Sequence, residues 1–233
     1  MSKEHEKLTN MLENGKISEE DYKLLSQALN KKSLSNKLEN SLLINPYQKI
    51  AGIKALSLGL LMMVFMSITG VYANIYFDGI FGFIFAEHLK AMRPDFLLLM
   101  YQNSIAIFVL ANMFLMGALI LKQKRIRIID FFGTVALSRY PLLIWLLYSL
   151  LEKHVFPHNP IDYSKDIELH FSITATFSYF VMFGTFGWQV MTSFFAYKES
   201  SGVEGRGLWV SFIFILLISD MISIPLSRWF LYS

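Results

Sequence analysis

The sequence predicts an all-α membrane protein, a bundle of about five transmembrane helices preceded by a short amino-terminal cytoplasmic helical hairpin. Three observations lead there. First, the 233 residues are 54% hydrophobic and 15% aromatic but only 17% charged, with a mean hydropathy of +0.44, outside the range of soluble domains. Second, five apolar runs are each long enough to cross a hydrocarbon core of ~30 Å at ~1.5 Å per residue. Third, the cations beside those runs alternate from loop to loop. Lys31, Lys32, Lys37, Lys49, Lys122, Lys124, Arg125, Arg127, Lys198 and Arg206 fall on one side, and only Lys90, Arg93, Lys153 and Lys165 on the other. Basic residues mark the cytoplasmic face, which places the amino terminus inside and, after an odd number of spans, the carboxyl terminus outside.

The net charge of +3 is dispersed along these span ends, so the cations read as topology signals and no nucleic-acid partner is expected. Cysteine is absent, which excludes disulfides, thiolate metal sites and cysteine nucleophiles. The polar amino terminus holds no short apolar segment followed by small residues, so no cleavable signal peptide is expected.

Residues 1–30 read as the helical hairpin. Leu8, Met11 and Leu12 share one face, Asn14 and Gly15 stop the first helix, and Ser18 caps a second whose first turn carries Glu19, Glu20 and Asp21. The stretch LENGKISEEDYKLLSQAL resembles the short SHOCT-like hairpins of bacterial membrane proteins; a solvated amphipathic tail is the alternative. Residues 31–49 form a polar linker rich in Lys, Asn and Ser.

The membrane domain, 50–233, begins with a span over 50–72. Ala51, Ala55 and Gly59 recur every fourth position there and would let a second helix approach closely. Lys54 reaches the headgroups along its own stem. Residues 74–94 are interrupted by Asp78, Gly79, Gly82 and Glu87 between aromatic residues, which suits an interfacial or a re-entrant piece. Spans follow over 96–121, where Gln102, Asn103 and Asn112 read as interhelical hydrogen-bonding groups, and over 128–151. Pro157 and Pro160 mark an extended connection, and the last spans are 171–197 and 208–231.

The basic loop Lys122, Lys124, Arg125, Arg127 leads into FFGTVALSRYPLLIW, and a later span ends WQVMTSFFAYKESSGVEGRG. With the preceding tail and about five spans, these stretches resemble the Yip1 domain family, in particular its bacterial members. The residues that carry the likeness are Gly133, Thr134, Ala136, Ser138, Arg139 and Pro141, then Trp188, Tyr197, Ser201, Gly202 and Gly205. In eukaryotes the resemblance would imply work with Rab GTPases in vesicle traffic. This chain lacks the long proline-rich tail of many eukaryotic members, and its compact Lys/Glu hairpin points to a bacterial cytoplasmic membrane.

Charges inside a span each cost at least ~2.5–3.5 kcal/mol at mid-membrane. Arg139 and Asp220 stand near span centres, and their depths predict a direct pair between parallel spans, with Tyr140, Gln189 or water taking the remaining donors. Such a pair either fixes the bundle or lines a proton, ion or headgroup path. Asp130 is expected to offset Arg127 or Arg125. His154, His158 and His170, with Asp162, Asp166 and Glu168, crowd one loop, yet no two are fixed on one helix face, so no metal site is assigned. No catalytic motif and no cofactor site emerges. The expected function is therefore non-enzymatic membrane organisation or an adaptor role, through helix contacts with the lipid bilayer, a membrane-protein partner or a second copy. The alternative is a small transporter, channel or lipid-handling protein using Arg139, Gln189 and Asp220.

Overall fold

A computed structural model describes residues 3–14, 17–28, 41–85, 93–123, 126–155 and 173–229. The chain divides into two units, Met1–Pro46 and Tyr47–Ser233. In the first, α1 (Lys3–Glu13) ends where the Asn14 side-chain amide donates to the Asn10 carbonyl at 2.7 Å. A second helix, α2 (19–28), starts as the sequence predicts. Ser18 Oγ accepts from the Asp21 N–H at 3.1 Å while donating to Asp21 Oδ2 at 2.7 Å, a reciprocal cap that satisfies orphan groups of the first turn. The turn expected at Gly15 and most of the linker, 29–40, lie outside the described residues.

The second unit contains α3 (Gly52–Ala73), the strands β1 (Ile75–Asp78) and β2 (Gly82–Phe85), α4 (Phe96–Ile120), α5 (Ile128–Ser138), α6 (Tyr140–Val155), α7 (Ile173–Ser201) and α8 (Gly205–Arg228). Among the described residues four helices are long and apolar enough to cross a membrane: Gly52–Ala73, Phe96–Ile120, Ile128–Glu152 (α5 with α6) and Gly205–Arg228. The remaining expected span, 171–197, falls on α7, whose 29 residues mix Ser, Thr, Gly and Gln among the aromatic ones and so dilute its hydropathy below that class.

The small-residue stripe of α3 receives α5. A Cβ on Gly59 would lie 2.6 Å from both Ala136 Cβ and the Leu137 backbone nitrogen, and one on Gly133 would lie 2.7 Å from the Gly52 carbonyl. The two helices therefore run parallel at backbone contact, a closeness only glycine permits. Along the other flank α7 runs antiparallel to α5 and α6. Thr134 Oγ1 donates to the Ala196 carbonyl at 3.4 Å and Thr192 Oγ1 to that of Ser138 at 2.8 Å. Further along, Ser178 Oγ lies 2.8 Å from the Tyr148 hydroxyl and donates to Glu152 at 2.6 Å. An aromatic cluster ties α4 and α8 to α7, with Phe114 4.7 Å from Tyr197 and 6.1 Å from Phe212 between ring centroids, and Phe194 stacked on Trp209 at 4.2 Å.

Two features depart from a simple set of spans. The expected span 128–151 is broken, because Arg139 sits in a single turn between α5 and α6. Pro141 has no N–H for the Leu137 carbonyl, and Leu142 bonds instead to the carbonyl of Arg139 at 3.0 Å. The segment 74–94, expected as interfacial or re-entrant, contains a two-stranded antiparallel hairpin folded back into the bundle. Asn74 reverses the chain with φ +62, Asp78 pairs with Gly82, and Ile75, Tyr76, Phe77 and Ile80 are buried.

The glycine packing has a measurable consequence. Gly59→Ala should lower the thermal stability of the purified protein by about 1–3 kcal/mol, because the new methyl meets the α5 backbone. Gly184→Ala in α7, where a Cβ meets nothing within 4 Å, should leave stability unchanged or raise it by up to ~1 kcal/mol. Thermal unfolding in detergent reads both.

Candidate functional site: a polar cluster at the hairpin tip

A strand edge buried among apolar helices must satisfy its own N–H and C=O groups, since lipid offers no replacement. The hairpin meets this demand with side chains from three spans. Gln102 of α4 accepts from the Phe77 N–H at 3.1 Å and donates to the Ser227 carbonyl of α8 at 3.2 Å. Ser227 Oγ accepts from the Gly79 N–H at 3.2 Å. The Arg228 guanidinium takes both oxygens of Asp78, its Nε at 2.7 Å, a bidentate pair that fastens the hairpin to the end of α8.

At the tip, the Ile80 backbone is held from both sides. Its N–H donates to Asp220 Oδ1 at 3.0 Å, and its carbonyl accepts from Arg139 Nη1 at 2.8 Å. Arg139 Nη2 donates to Asn103 Oδ1 at 3.3 Å. The Asn103 amide in turn donates to Ser67 Oγ of α3 at 3.3 Å and to the Leu99 carbonyl at 3.2 Å. Arg139, Asn103 and Gln102 are 2% exposed or less. The turn at Arg139 is what points the guanidinium at the hairpin, and Gly79 is what lets the hairpin reach it. Gly79 has φ +71, and a Cβ there would lie 2.7 Å from Asp220 Oδ1 and 2.8 Å from Ile224.

The two charges predicted to pair thus both bind the backbone of Ile80, one at its N–H and the other at its carbonyl. No direct ion pair joins them among the described residues; the Ile80 N–H binds Asp220, and the Ile80 carbonyl, in the following peptide group, binds Arg139. Tyr140 and Gln189, expected to complete the arginine's hydrogen bonds, do other work. Tyr140 lies edge-on to Trp188 at 5.6 Å, and Gln189 Nε2 donates to Ser193 Oγ at 3.4 Å within its own helix. Gln189 joins a second polar group, where Ser193 lies 3.5 Å from Ser138 Oγ. Tyr47, placed by the sequence in a polar linker, is buried with its hydroxyl near Tyr140, Ser138 and Thr192. In the basic loop, Lys122 is exposed and Arg127 pairs with Asp130 at 3.6 Å, as expected. Lys124 and Arg125 lie outside the described residues, as do the side chains of the histidine-rich loop.

Sequence reasoning missed the hairpin tip, because the groups of Ile80 that matter are backbone and carry no residue-type signal. It also left Arg228 unassigned. The sequence signal that could have found both is Asp78 followed by Gly79 and Gly82, a tight turn carrying a carboxylate inside an apolar stretch. Compared with protein families, curated proteins and solved structures, the chain matches none.

The network makes unequal demands on its members. Arg139→Met leaves the Ile80 carbonyl and Asn103 Oδ1 unpaired and Asp220 without its countercharge, and should cost about 3–5 kcal/mol; Asn103→Leu should cost about 1–3 kcal/mol. Gly79→Ala should leave α3 and α5 protected while hydrogen exchange at Phe77 and Ile80 accelerates at least ~5-fold, because the strained tip opens.

Proposed function

We propose that the protein is a non-enzymatic membrane-organising or adaptor protein of the Yip1-like type. It works through contacts of its helices in the bilayer and through the helical unit at its amino terminus. The observation that carries this reading is the use made of the intramembrane charges. Arg139 and Asp220 are both engaged by the backbone of one residue, Ile80, in a buried hairpin, and Gln189 is turned to Ser193, so the three residues form no continuous polar line. Charges spent on holding an internal element suit a fixed scaffold better than a path that must bind and release ions. The Yip1-like stretch supports the same reading, since Gly133 lies in the close contact between α3 and α5 and Arg139 and Pro141 form the break that aims the guanidinium.

The topology in this proposal has five spans, with the amino terminus in the cytoplasm of a bacterial cell and the carboxyl terminus outside. Its support is the pairing of α7 with the broken span along its length, from Thr134 with Ala196 to Glu152 with Ser178. A helix so paired crosses the same slab. Because the chain has no cysteine, single introduced cysteines give an unambiguous test with an impermeant maleimide. Gln123→Cys and Glu204→Cys should label from the cytoplasmic side and Arg93→Cys from the other; labelling of Glu204→Cys with Arg93→Cys would remove α7 from the spans.

Function is tested in the same vesicles. Reconstituted protein should give no proton or potassium flux above protein-free vesicles, and a membrane partner cross-linked to the full chain should be lost when residues 1–28 are deleted. A saturable flux that disappears in Asp220→Asn would replace the scaffold with a transporter.

A further inference from the structure

The outward surface of α8 has a boundary at each end. Glu204, Gly205, Arg206 and Gly207 are exposed; from Trp209 onward every exposed residue is apolar, as far as Arg228 and Trp229, where the helix closes. We propose that this surface lies directly against the acyl chains of a bilayer between Trp209 and Trp229, which places the cluster of Arg139, Ile80 and Asp220 at the bilayer mid-plane and makes the hairpin a re-entrant element. The inference needs only α8 to be a span. It does not depend on the membrane-organising reading or on which face is cytoplasmic.

Length is the first support for a lipid partner. Trp209 and Trp229 are 53% and 70% exposed, and along the helix they stand ~30 Å apart, the thickness of a hydrocarbon core. An indole pairs an apolar ring with a polar N–H, which suits it to the two interfaces of that core. The first span repeats the spacing, since the exposed Lys54 and Tyr72 bracket ~27 Å of α3.

Side-chain size separates lipid from a protein partner. Membrane helices approach one another through small residues, and on α8 these point inward. Ser219, Ser223 and Ser227 recur every fourth position and are buried, and Ser227 holds the hairpin. The outward positions Val210, Ile213, Phe214, Leu217, Met221 and Ile222 are each at least 40% exposed, and none is Gly, Ala, Ser or Thr. Such a surface offers a second helix no close approach and offers acyl chains continuous apolar contact.

Depth then follows from the helical rise. Asp220 lies ~16 Å along α8 from Trp209 and ~14 Å from Trp229. Its Oδ1 accepts from the Ile80 N–H at 3.0 Å, and Arg139 Nη1 donates to the Ile80 carbonyl at 2.8 Å, so the hairpin tip shares that depth. The hairpin enters from the Trp229 end, because β1 directly follows α3 beyond Tyr72 and Asp78 pairs with Arg228.

The test uses the full-length protein in phosphatidylcholine vesicles with a hydrocarbon core of ~30 Å. Because the chain has no cysteine, Val210→Cys, Leu217→Cys, Met221→Cys and Leu226→Cys each carry a single nitroxide in place of an exposed side chain. Electron paramagnetic resonance then compares collisions with oxygen, which concentrates at the bilayer centre, and with a water-soluble nickel chelate. The oxygen-to-nickel ratio should be several-fold higher at Leu217 and Met221 than at Val210 and Leu226. Infrequent collisions with both reagents at Leu217 and Met221 would mean that protein covers the surface. A ratio that rises steadily toward one end would move the cluster off the mid-plane, and nickel collisions at Met221 as frequent as at Val210 would remove the bilayer from α8. Each of these three results overturns the proposal.

Discussion

The structure depends on the backbone of one residue, Ile80, whose N–H is held by Asp220 and whose carbonyl, in the next peptide group, is held by Arg139. A β-hairpin inside a helical bundle is an expensive insertion, because two strands satisfy only the groups that face each other. The outward-facing groups need partners that apolar spans rarely carry. Here Gln102, Ser227, Asp220 and Arg139 supply them, and the cost of burying two charges is offset by what they hold in place. Because Ile80 offers its N–H to one charge and its carbonyl to the other, each is satisfied without a direct pair.

The remaining architecture brings those groups to one depth. The break at Arg139 exists because Pro141 withholds a donor, and it turns a side chain inward that a continuous helix would carry elsewhere. The glycine contact between α3 and α5 fixes how far the broken span slides along its neighbour, and Asn103 reports the result by bonding both Arg139 and Ser67 of α3. Arg228 with Asp78 then holds the hairpin at the far end of α8. Four spans and the hairpin meet in this one network, so a displacement of any of them strands a buried polar group.

The sequence made the helices legible because their cause is local. Four of the long apolar runs, the Ser18 cap, Ala55 and Gly59 of the small-residue stripe and the Arg127–Asp130 pair all follow from residue type and spacing and appear where expected, whereas Ala51 precedes α3 and is exposed. The charges Arg139 and Asp220 were visible for the same reason, since an ionised side chain in an apolar run is costly wherever it lies. Their connection was not visible. It passes through the main chain of a hairpin whose strands have four residues each, too short for periodicity to distinguish from an interfacial segment. The polar character of α7 worked in the opposite direction. Its Ser and Thr residues are partners for the broken span, yet they also lower the hydropathy by which a span is recognised. Tyr47 was hidden by composition, as one buried aromatic at the end of a Lys-rich stretch.

The central claim is that the two charges are engaged by the N–H and the carbonyl of Ile80 rather than by each other, and a charge exchange tests it most directly. Folded yield would be measured for Arg139→Asp, Asp220→Arg and the double exchange. A direct ion pair is indifferent to which side carries which sign, whereas the Ile80 backbone is not: its N–H would face an arginine and its carbonyl a carboxylate. The account predicts that the double exchange folds no better than the worse single variant. Recovery of the unaltered protein's yield in the double exchange would contradict it and restore a simple salt bridge between the spans.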